Sequence, residues 1–488
     1  MNEIFDVVVV GGGGAGLAAA IEARAAGRSV VLLEKNEALG GSTAWSIGSI
    51  SATGTPHQRR KGIEDNPADH WADMPGFAGD LATRDNDALR RILCDEVPGT
   101  FQWLLDSGIR FMGPMPEPPH RKPRMHNVLP NSRSYIYHLE RRARRAGVVI
   151  RIGTPVTGLV RSDGRVTGVQ TGAHAVISAR GGVVLAAGDF TNSPELKARF
   201  MGPQEAKVEG VNLTATGDGQ KMAEALGARI LNGDLALGPE LRFIAPVKET
   251  LVRRLPPWRA LAAYMAWAIE HLPAAILRPF VMQFVTTALA PSPALFEAGA
   301  LLVNHKGERF GEERDRPAYR VPDQPAKEAF ILMDGALAQR FSAWPDFIST
   351  APGVAYAYLP DYRRNRPDVY NEAPTLAGLA AKLGMPAAAL EASVAGRLKE
   401  APYIALGPVR SVFVHAEGGL AVDALHRVLG ADGKPIAGLY AAGSTGQGGL
   451  LLKGHGHHLA WAFVSGRRAG RHAALEVLSD STRGAAKQ

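Results

Sequence analysis

The chain has a single cysteine, Cys94, in 488 residues. That excludes disulfides within the chain, a cysteine-ligated iron–sulfur cluster and c-type haem attachment, so electrons from any redox step must leave through an external acceptor. No uninterrupted apolar run reaches the roughly twenty residues that cross a bilayer. The most apolar stretch, Leu255 to Val303, is broken by prolines, Glu270, His271 and Arg278. It reads as cap helices walling an apolar pocket, with a surface that dips into a membrane as the alternative. Met1 to Phe5 lead straight into a strand with no charged-then-apolar leader, so a cytoplasmic location is expected. Nucleic-acid motifs are missing as well, although 55 basic against 47 acidic residues give a formal charge of +8. Much of that excess lies in Arg59 to Lys61, Arg121 to Arg124 and Arg141 to Arg145, which read as solvated faces; anionic lipid or an acidic substrate are the alternative partners.

What is present begins with a βαβ pattern. Asp6 to Val10 is an apolar run, Gly11-Gly-Gly-Gly-Ala-Gly16 follows, then a helix-like stretch and Val30 to Glu34. Gly11 permits the tight turn, Gly13 lets the backbone approach a pyrophosphate, and Gly16 allows the helix to pack closely on the strand. The amides of Gly14, Ala15 and their neighbours then face the phosphates. Glu34, ending the second strand just before Lys35, is placed for the adenosine ribose hydroxyls and disfavours a 2′-phosphate. NAD would satisfy the same unit. Only one such fingerprint exists, so direct NAD use would require a second site.

Four further segments choose the cofactor: Gly40 to Gly48, which contains Gly41, Ser42, Thr43 and Ser46; Gly181 to Gly188, ending in Ala187-Gly188; Thr216-Gly-Asp218-Gly; and Gly438 to Ser444. Together they resemble the flavoprotein family of fumarate reductases, succinate dehydrogenases and 3-ketosteroid dehydrogenases along nearly the whole chain. The resemblance implies FAD, with Val156 offering backbone to the adenine, Asp218 supporting the flavin site, and Gly443 and Ser444 touching ribityl and ring. Many members carry glutamate at the Ser444 position. Ser42 falls where succinate dehydrogenases place the histidine that links flavin covalently, so the FAD is expected to be non-covalent.

The flavin segments fall early and late. That predicts an α/β, Rossmann-like FAD-binding domain in two parts, residues 1–228 and 404–478, with an inserted α+β cap at 229–403 and a flexible tail at 479–488. Helical periodicity marks Ala88 to Leu105 and Ser134 to Ala146; strands are expected at Val148 to Arg151, Arg165 to Gln170 and Val183 to Ala186.

The chemistry is expected where cap meets flavin. In Gly307 to Tyr319, Arg316 lies near the place of the fumarate reductase proton donor, and Tyr319 near that of the ketosteroid dehydrogenase base. A tyrosine, with an ordinary pKa near 10, works as a base at neutral pH only when cations lower it, and Arg314, Arg316 and Arg320 are the candidates. Val414-His415-Ala-Glu417-Gly-Gly resembles a fumarate reductase segment that retains one of two histidines; His415 would donate to a substrate oxygen, with Glu417 holding its tautomer. Leu452-Lys453-Gly-His455-Gly456-His457-His458-Leu459 opens a helix whose N-terminus would face the flavin pyrimidine, with His458 and Leu459 beside it. Lys453 stands where fumarate reductases place a carboxylate-binding arginine, and lysine lacks the two-pronged fork, so a dicarboxylate is disfavoured. Gly456 matches the glycine whose N–H receives the ketone oxygen in ketosteroid dehydrogenases. His455, His457 and His458 could suggest a metal, but no carboxylate or cysteine accompanies them in sequence, and none is expected.

These readings converge on a dehydrogenase that introduces a double bond beside the carbonyl of a cyclic ketone, either a ketosteroid or a smaller alicyclic ketone such as 4-oxocyclohexanecarboxylate. The partners would be a small apolar carbonyl substrate and an external acceptor: a quinone, an electron-transfer protein or O2. The alternatives are an enoate or enone reductase, and the flavin subunit of a membrane electron-transfer assembly docking through the stretch from Leu255.

Overall fold

A computed structural model describes residues 3–172, 175–246, 254–351 and 355–485. Its centre is an eight-stranded sheet. The main path runs Arg427–Leu429, Pro435–Ala441, Ala175–Leu185, Glu3–Val10, Val30–Leu33, Val149–Arg151, and the Val156–Ser162/Arg165–Thr171 hairpin pairs alongside Ala175–Leu185. The four middle strands pair parallel with Val149–Arg151 at the edge: Val7 opposes Val30, Val10 opposes Leu185, and Tyr440 opposes Val184. A parallel sheet is covered on both faces, which is why its strands are continuous apolar runs rather than alternating ones. Val7, Val8 and Val9 have no exposed surface.

One covering layer is a helix pair, Gly14–Ala25 and the C-terminal helix His457–Ala485. Their contact is backbone on backbone. A Cβ added at Gly466 would lie 2.3 Å from the Ala15 carbonyl oxygen, and one at Gly470 would lie 2.1 Å from that of Ala19. The C-terminal helix also runs over the first part of the segment expected as a tail.

The cap is built on a six-stranded sheet whose hub is Tyr403–Phe413, paired with Ala329–Met333, Glu240–Phe243, Tyr370–Ala373 and Glu209–Gly210; Leu301–Val303 extends it beyond Ala329–Met333. Its strands come from residues 209 to 413, wider than the 229–403 expected. Glu209–Gly210 and the far half of the hub carry no cofactor signature, so sequence could not tell on which sheet they sit. A small sheet of Ser49–Ser51, Met125–Leu129 and Arg110–Met115 abuts the start of the C-terminal helix.

The expected helices appear as Asp87–Asp106 and Arg133–Arg145. The apolar stretch folds as Arg259–His271 and Ala274–Ala288, separated at Leu272-Pro273. Among the described residues no helix is long and apolar enough to cross a membrane.

The helix seam yields a direct test. Gly470→Ala forces a methyl into the Ala19 backbone and is expected to destabilise by about 1–3 kcal/mol. Gly99→Ala, in a helix interior with open space around it, is expected to stabilise by about 0.5–1 kcal/mol. Chemical denaturation midpoints of the two variants should therefore move in opposite directions.

Candidate active site

A cleft runs along the carboxyl ends of the parallel strands, past Val10, Leu33 and Ala186, the place where open α/β sheets bind ligands. Gly11 has φ +109° and a Cβ there would strike the Ala186 carbonyl at 2.3 Å; one at Gly16 would lie 1.9 Å from the Gly11 carbonyl. The turn therefore admits glycine alone at both positions. Gly13, at the N-cap of the Gly14–Ala25 helix, has no side chain to cap it; Thr43 Oγ1 takes the Gly14 amide, and the helix start otherwise opens toward the cleft as an anion site.

Glu34 is buried and already engaged. Its Oε2 accepts from the Gly12 amide at 2.7 Å, and its Oε1 accepts from the Asn36 backbone and side-chain amides at 2.9 and 2.8 Å. Lys35 Nζ donates to Asp218 Oδ2 at 2.7 Å and to Thr216 Oγ1 at 2.6 Å, tying the second strand to the segment before the cap. Thr43 Oγ1 accepts from the Gly14 amide, and Ser42 Oγ from Asn212 Nδ2.

The cleft brings together Gly11, Gly13, Gly14, Ala15, Glu34, Lys35, Gly41, Ser42, Thr43, Val156, Ala187, Gly188, Asp218, Gly443 and Ser444. Asn36, Thr154, Pro155, Asn212 and Thr214 line it too; as single polar or turn residues outside any motif they gave no sequence signal. Gly16, Ser46, Gly48, His458 and Leu459 do not line it. Gly16 packs beneath the turn, while Ser46 Oγ accepts from the Gly48 amide and Gly48's carbonyl receives the Tyr135 hydroxyl, so these two shape the adjoining loop. A long cofactor with a pyrophosphate and a ribose fits this set: a glycine cradle, an open helix N-terminus and a buried carboxylate at the expected interval.

Beyond the Gly443–Ala462 end, the three histidines close in sequence diverge into three separate groups. His455 Nδ1 lies 2.6 Å from Glu117 Oε1, which also accepts the His455 backbone amide at 2.7 Å. Its hydrogen bond to Glu117 raises the His455 pKa above the usual histidine value, with smaller opposing effects from Arg242 and Glu240 of the cap. Glu117 was not anticipated; the signal was a lone glutamate among prolines in Pro114-Met-Pro-Glu-Pro-Pro119.

His457 turns inward to His70 and His120, all three buried. Its Nδ1–H donates to the Lys453 carbonyl at 2.5 Å, so its Nε2 is an acceptor. Arg124 Nη1 donates to His120 Nδ1 at 2.9 Å, which puts the His120 proton on Nε2, 3.2 Å from His457 Nε2. Burial pushes His120 down to about 2, with His457 and Arg124 adding to it. This neutral triad pins the loop that carries Lys453, His455 and Gly456.

The His458 ring lies against that of His415, tilted by 47° with centroids 3.7 Å apart. Both Nε2 atoms face Glu417 Oε1, at 3.6 and 3.7 Å. Pairing of Leu237 with His415 and of Ala236 with Ala416 sets that register. Burial alone would raise the Glu417 carboxyl, but His458 and His415 outweigh it and hold it well below the carboxylate range. Each triad brings ligand-type atoms within 4.8 Å of one another. In the first, however, His120 presents a proton; in the second, His415 Nε2, His458 Nε2 and Glu417 Oε1 converge without a hydrogen-bond partner among the described residues.

Arg316 and Tyr319 are placed differently from the expectation. The Arg316 guanidinium lies 3.9 Å over the Tyr319 ring rather than at its hydroxyl, and Arg320 donates to Asp315 and to the Glu312 carbonyl. Tyr319 is tied through its carbonyl to Gln204 Nε2 at 2.7 Å. Among the described residues neither side chain bonds to the histidine groups or to Lys453. The reason is tertiary: the Pro317–Tyr319 turn packs against the cap hub strand.

A family model described as FAD binding domain matches residues 6–243 and 264–451. The chain belongs to that family. It is 27% identical to a probable fumarate reductase of Shewanella frigidimarina over 98% of this chain and 76% of that one. It is 25% identical to the 4-oxocyclohexanecarboxylate 2-dehydrogenase of Sinomonas cyclohexanicum over 96% and 93%. The open conformation of a flavocytochrome c3 fumarate reductase superposes with a TM-score of 0.72 at 25% identity, over 98% of this chain and 79% of that one. This family member is an FAD-dependent oxidoreductase acting on CH–CH groups.

Glu34→Ala removes the buried carboxylate from the cofactor cleft. FAD affinity of the apoprotein, followed by flavin fluorescence, is expected to fall about 10- to 100-fold, the range of one or two lost charged hydrogen bonds.

Proposed function

We propose that this flavoprotein reduces a carbon–carbon double bond conjugated to a carbonyl group. The observation that carries the reading is the His455–Glu117 pair. A carboxylate at 2.6 Å stabilises the imidazolium of a half-exposed histidine at the mouth of the C-terminal helix, facing Arg242 and Glu240 of the cap. Bound FAD would supply hydride chemistry. His455 would deliver the proton to the carbon beside the carbonyl, while the Gly456 amide and Lys453 receive carbonyl or carboxylate oxygen. Lys453 suits one carboxylate or none, which favours a monocarboxylate or an apolar enone over a dicarboxylate. The fifteen expected residues that line the cleft would hold FAD. No histidine, cysteine or tyrosine is among the lining residues, which supports non-covalent binding.

The reverse step, desaturation of a cyclic ketone, is the second reading. Similarity to the 4-oxocyclohexanecarboxylate dehydrogenase over 96% of the chain favours it. It needs a base. Tyr319 could serve only if a closing cap brings its hydroxyl to the substrate, with Arg316 travelling alongside. In either direction an external electron carrier completes the cycle.

Anaerobic absorbance at about 450 nm separates the directions. Reduced holoenzyme is expected to reoxidise with enones or enoates. Bleaching of oxidised enzyme by cyclic ketones, without that reoxidation, would establish the desaturase, and silence in both would sink both readings. His455→Gln is expected to lower alkene turnover about 10²- to 10⁴-fold at unchanged flavin content.

The pH dependence has a definite sign. Because the folded His455 pKa is raised, turnover should be full on the acid side and decline as pH rises through that value. The stabilisation from the pair follows the same course, present below about 6.5 and lost above the folded pKa. In Glu117→Gln the decline should begin at lower pH.

A further inference from the structure

The Arg259–His271 helix is packed the wrong way round for a surface helix of a globular protein. Its buried positions are small, Ala262 at 1% and Ala268 at 7% exposure, while Trp258 at its N-cap and Tyr264 and Trp267 on its outer face are 60%, 61% and 48% exposed. Tyr264, Trp267 and His271 stack in succession at 5.8 and 5.1 Å, a continuous aromatic ridge. Ile276, 54% exposed at the start of the next helix, extends the apolar surface. Among the described residues nothing covers this ridge, and an apolar face left open in this way marks a docking surface.

Charge identifies what docks there. The helix lies on the Arg110–Met115/Met125–Leu129 hairpin. Arg259 opens the helix on that hairpin; beside it Arg110 Nη1 donates to the Leu105 and Ile109 carbonyls, with Asp106 nearby, and Arg141 lies 5.2 Å over the Tyr137 ring. Among the described residues none of the three is ion-paired. Glu270 is the one carboxylate on the helix. Tryptophan and tyrosine with an apolar body and a polar edge suit the headgroup layer of a bilayer, and unpaired arginines beside them suit anionic lipid. A twofold contact with a second copy would set arginines against arginines.

We propose that the Trp258–His271 ridge, with Arg110, Arg141 and Arg259, is a peripheral docking surface for an anionic phospholipid bilayer. The surface stands independently of the direction of catalysis.

The test is co-sedimentation of the FAD-loaded protein with phosphatidylcholine vesicles, with and without phosphatidylglycerol, at low and high salt. Binding to the anionic vesicles, weakened by salt, is expected. Replacing Trp258, Tyr264 and Trp267 together by alanine should abolish it at unchanged flavin content and turnover. Arg110→Gln, Arg141→Gln and Arg259→Gln should each cost about fivefold in partitioning while leaving the aromatics in place. Wild-type protein that stays in the supernatant with every vesicle would overturn the proposal, as would a triple variant that binds as well as wild type. Absence of vesicle binding together with dimerisation that the triple variant removes would also overturn it, assigning the ridge to a second copy instead.

Discussion

The close approach of backbone to backbone between the first helix and the last is the constraint from which the rest of the site follows. Gly466 and Gly470 let the C-terminal helix settle onto the Ala15 and Ala19 carbonyls, and Gly16 lets the first helix settle onto its own turn. Residues about 450 positions apart thereby share one layer over the central sheet. The consequence is positional: the N-terminus of the last helix is delivered to the same end of the sheet as the glycine cradle, where charge changes during flavin chemistry are best compensated. Side chains larger than hydrogen along this seam would push apart two elements that carry opposite ends of one cofactor cleft.

Around that helix start, buried charge is met by opposite charge, while His415 Nε2, His458 Nε2 and Glu417 Oε1 are buried together without a hydrogen-bond partner among the described residues. Arg124, wholly buried, is met by Asp65 and Asp73 and by the His120 ring; without them the charge would cost several kcal/mol in that interior. This network holds His120, His120 holds His457, and His457 grips the Lys453 carbonyl. The loop that offers Lys453, His455 and Gly456 is thus rigid because of residues far from it in sequence. Glu417, buried between His415 and His458, is held well below the carboxylate range by the two histidines, while burial and the neighbouring His458 hold the His415 imidazole below its usual value.

The cap supplies the opposing wall. Its hub strand Tyr403–Phe413 leads directly into His415, and the pairing of Leu237 with His415 fixes which way that histidine faces. Arg242 and Glu240, on a strand paired with the same hub, confront His455. Charged groups of the cap strand and of the loop before the last helix thus act on one another, and their spacing depends on how the cap stands over the sheet.

Much of this was legible in the chain. The glycine turn, the carboxylate at Glu34, the later glycine segments and the divided cofactor domain rest on local rules: a positive φ, a helix start and a buried parallel strand each leave a mark within a few residues. The lone Glu117, the partition of His455, His457 and His458 into three groups, and the posture of Arg316 across Tyr319 left no such mark. One step along the start of a helix rotates a side chain by about 100°, so neighbours in sequence face different surroundings. Partners such as His70, on the Pro67–Asp73 helix, and His120, in the loop between Arg110–Met115 and Met125–Leu129, are brought in by packing, not by any pattern. Sequence by itself determined the cofactor and the class of fold because glycine, valine and a single carboxylate are required locally. Tertiary structure alone decided which partner each histidine meets, because that depends on which distant charge lies beside it.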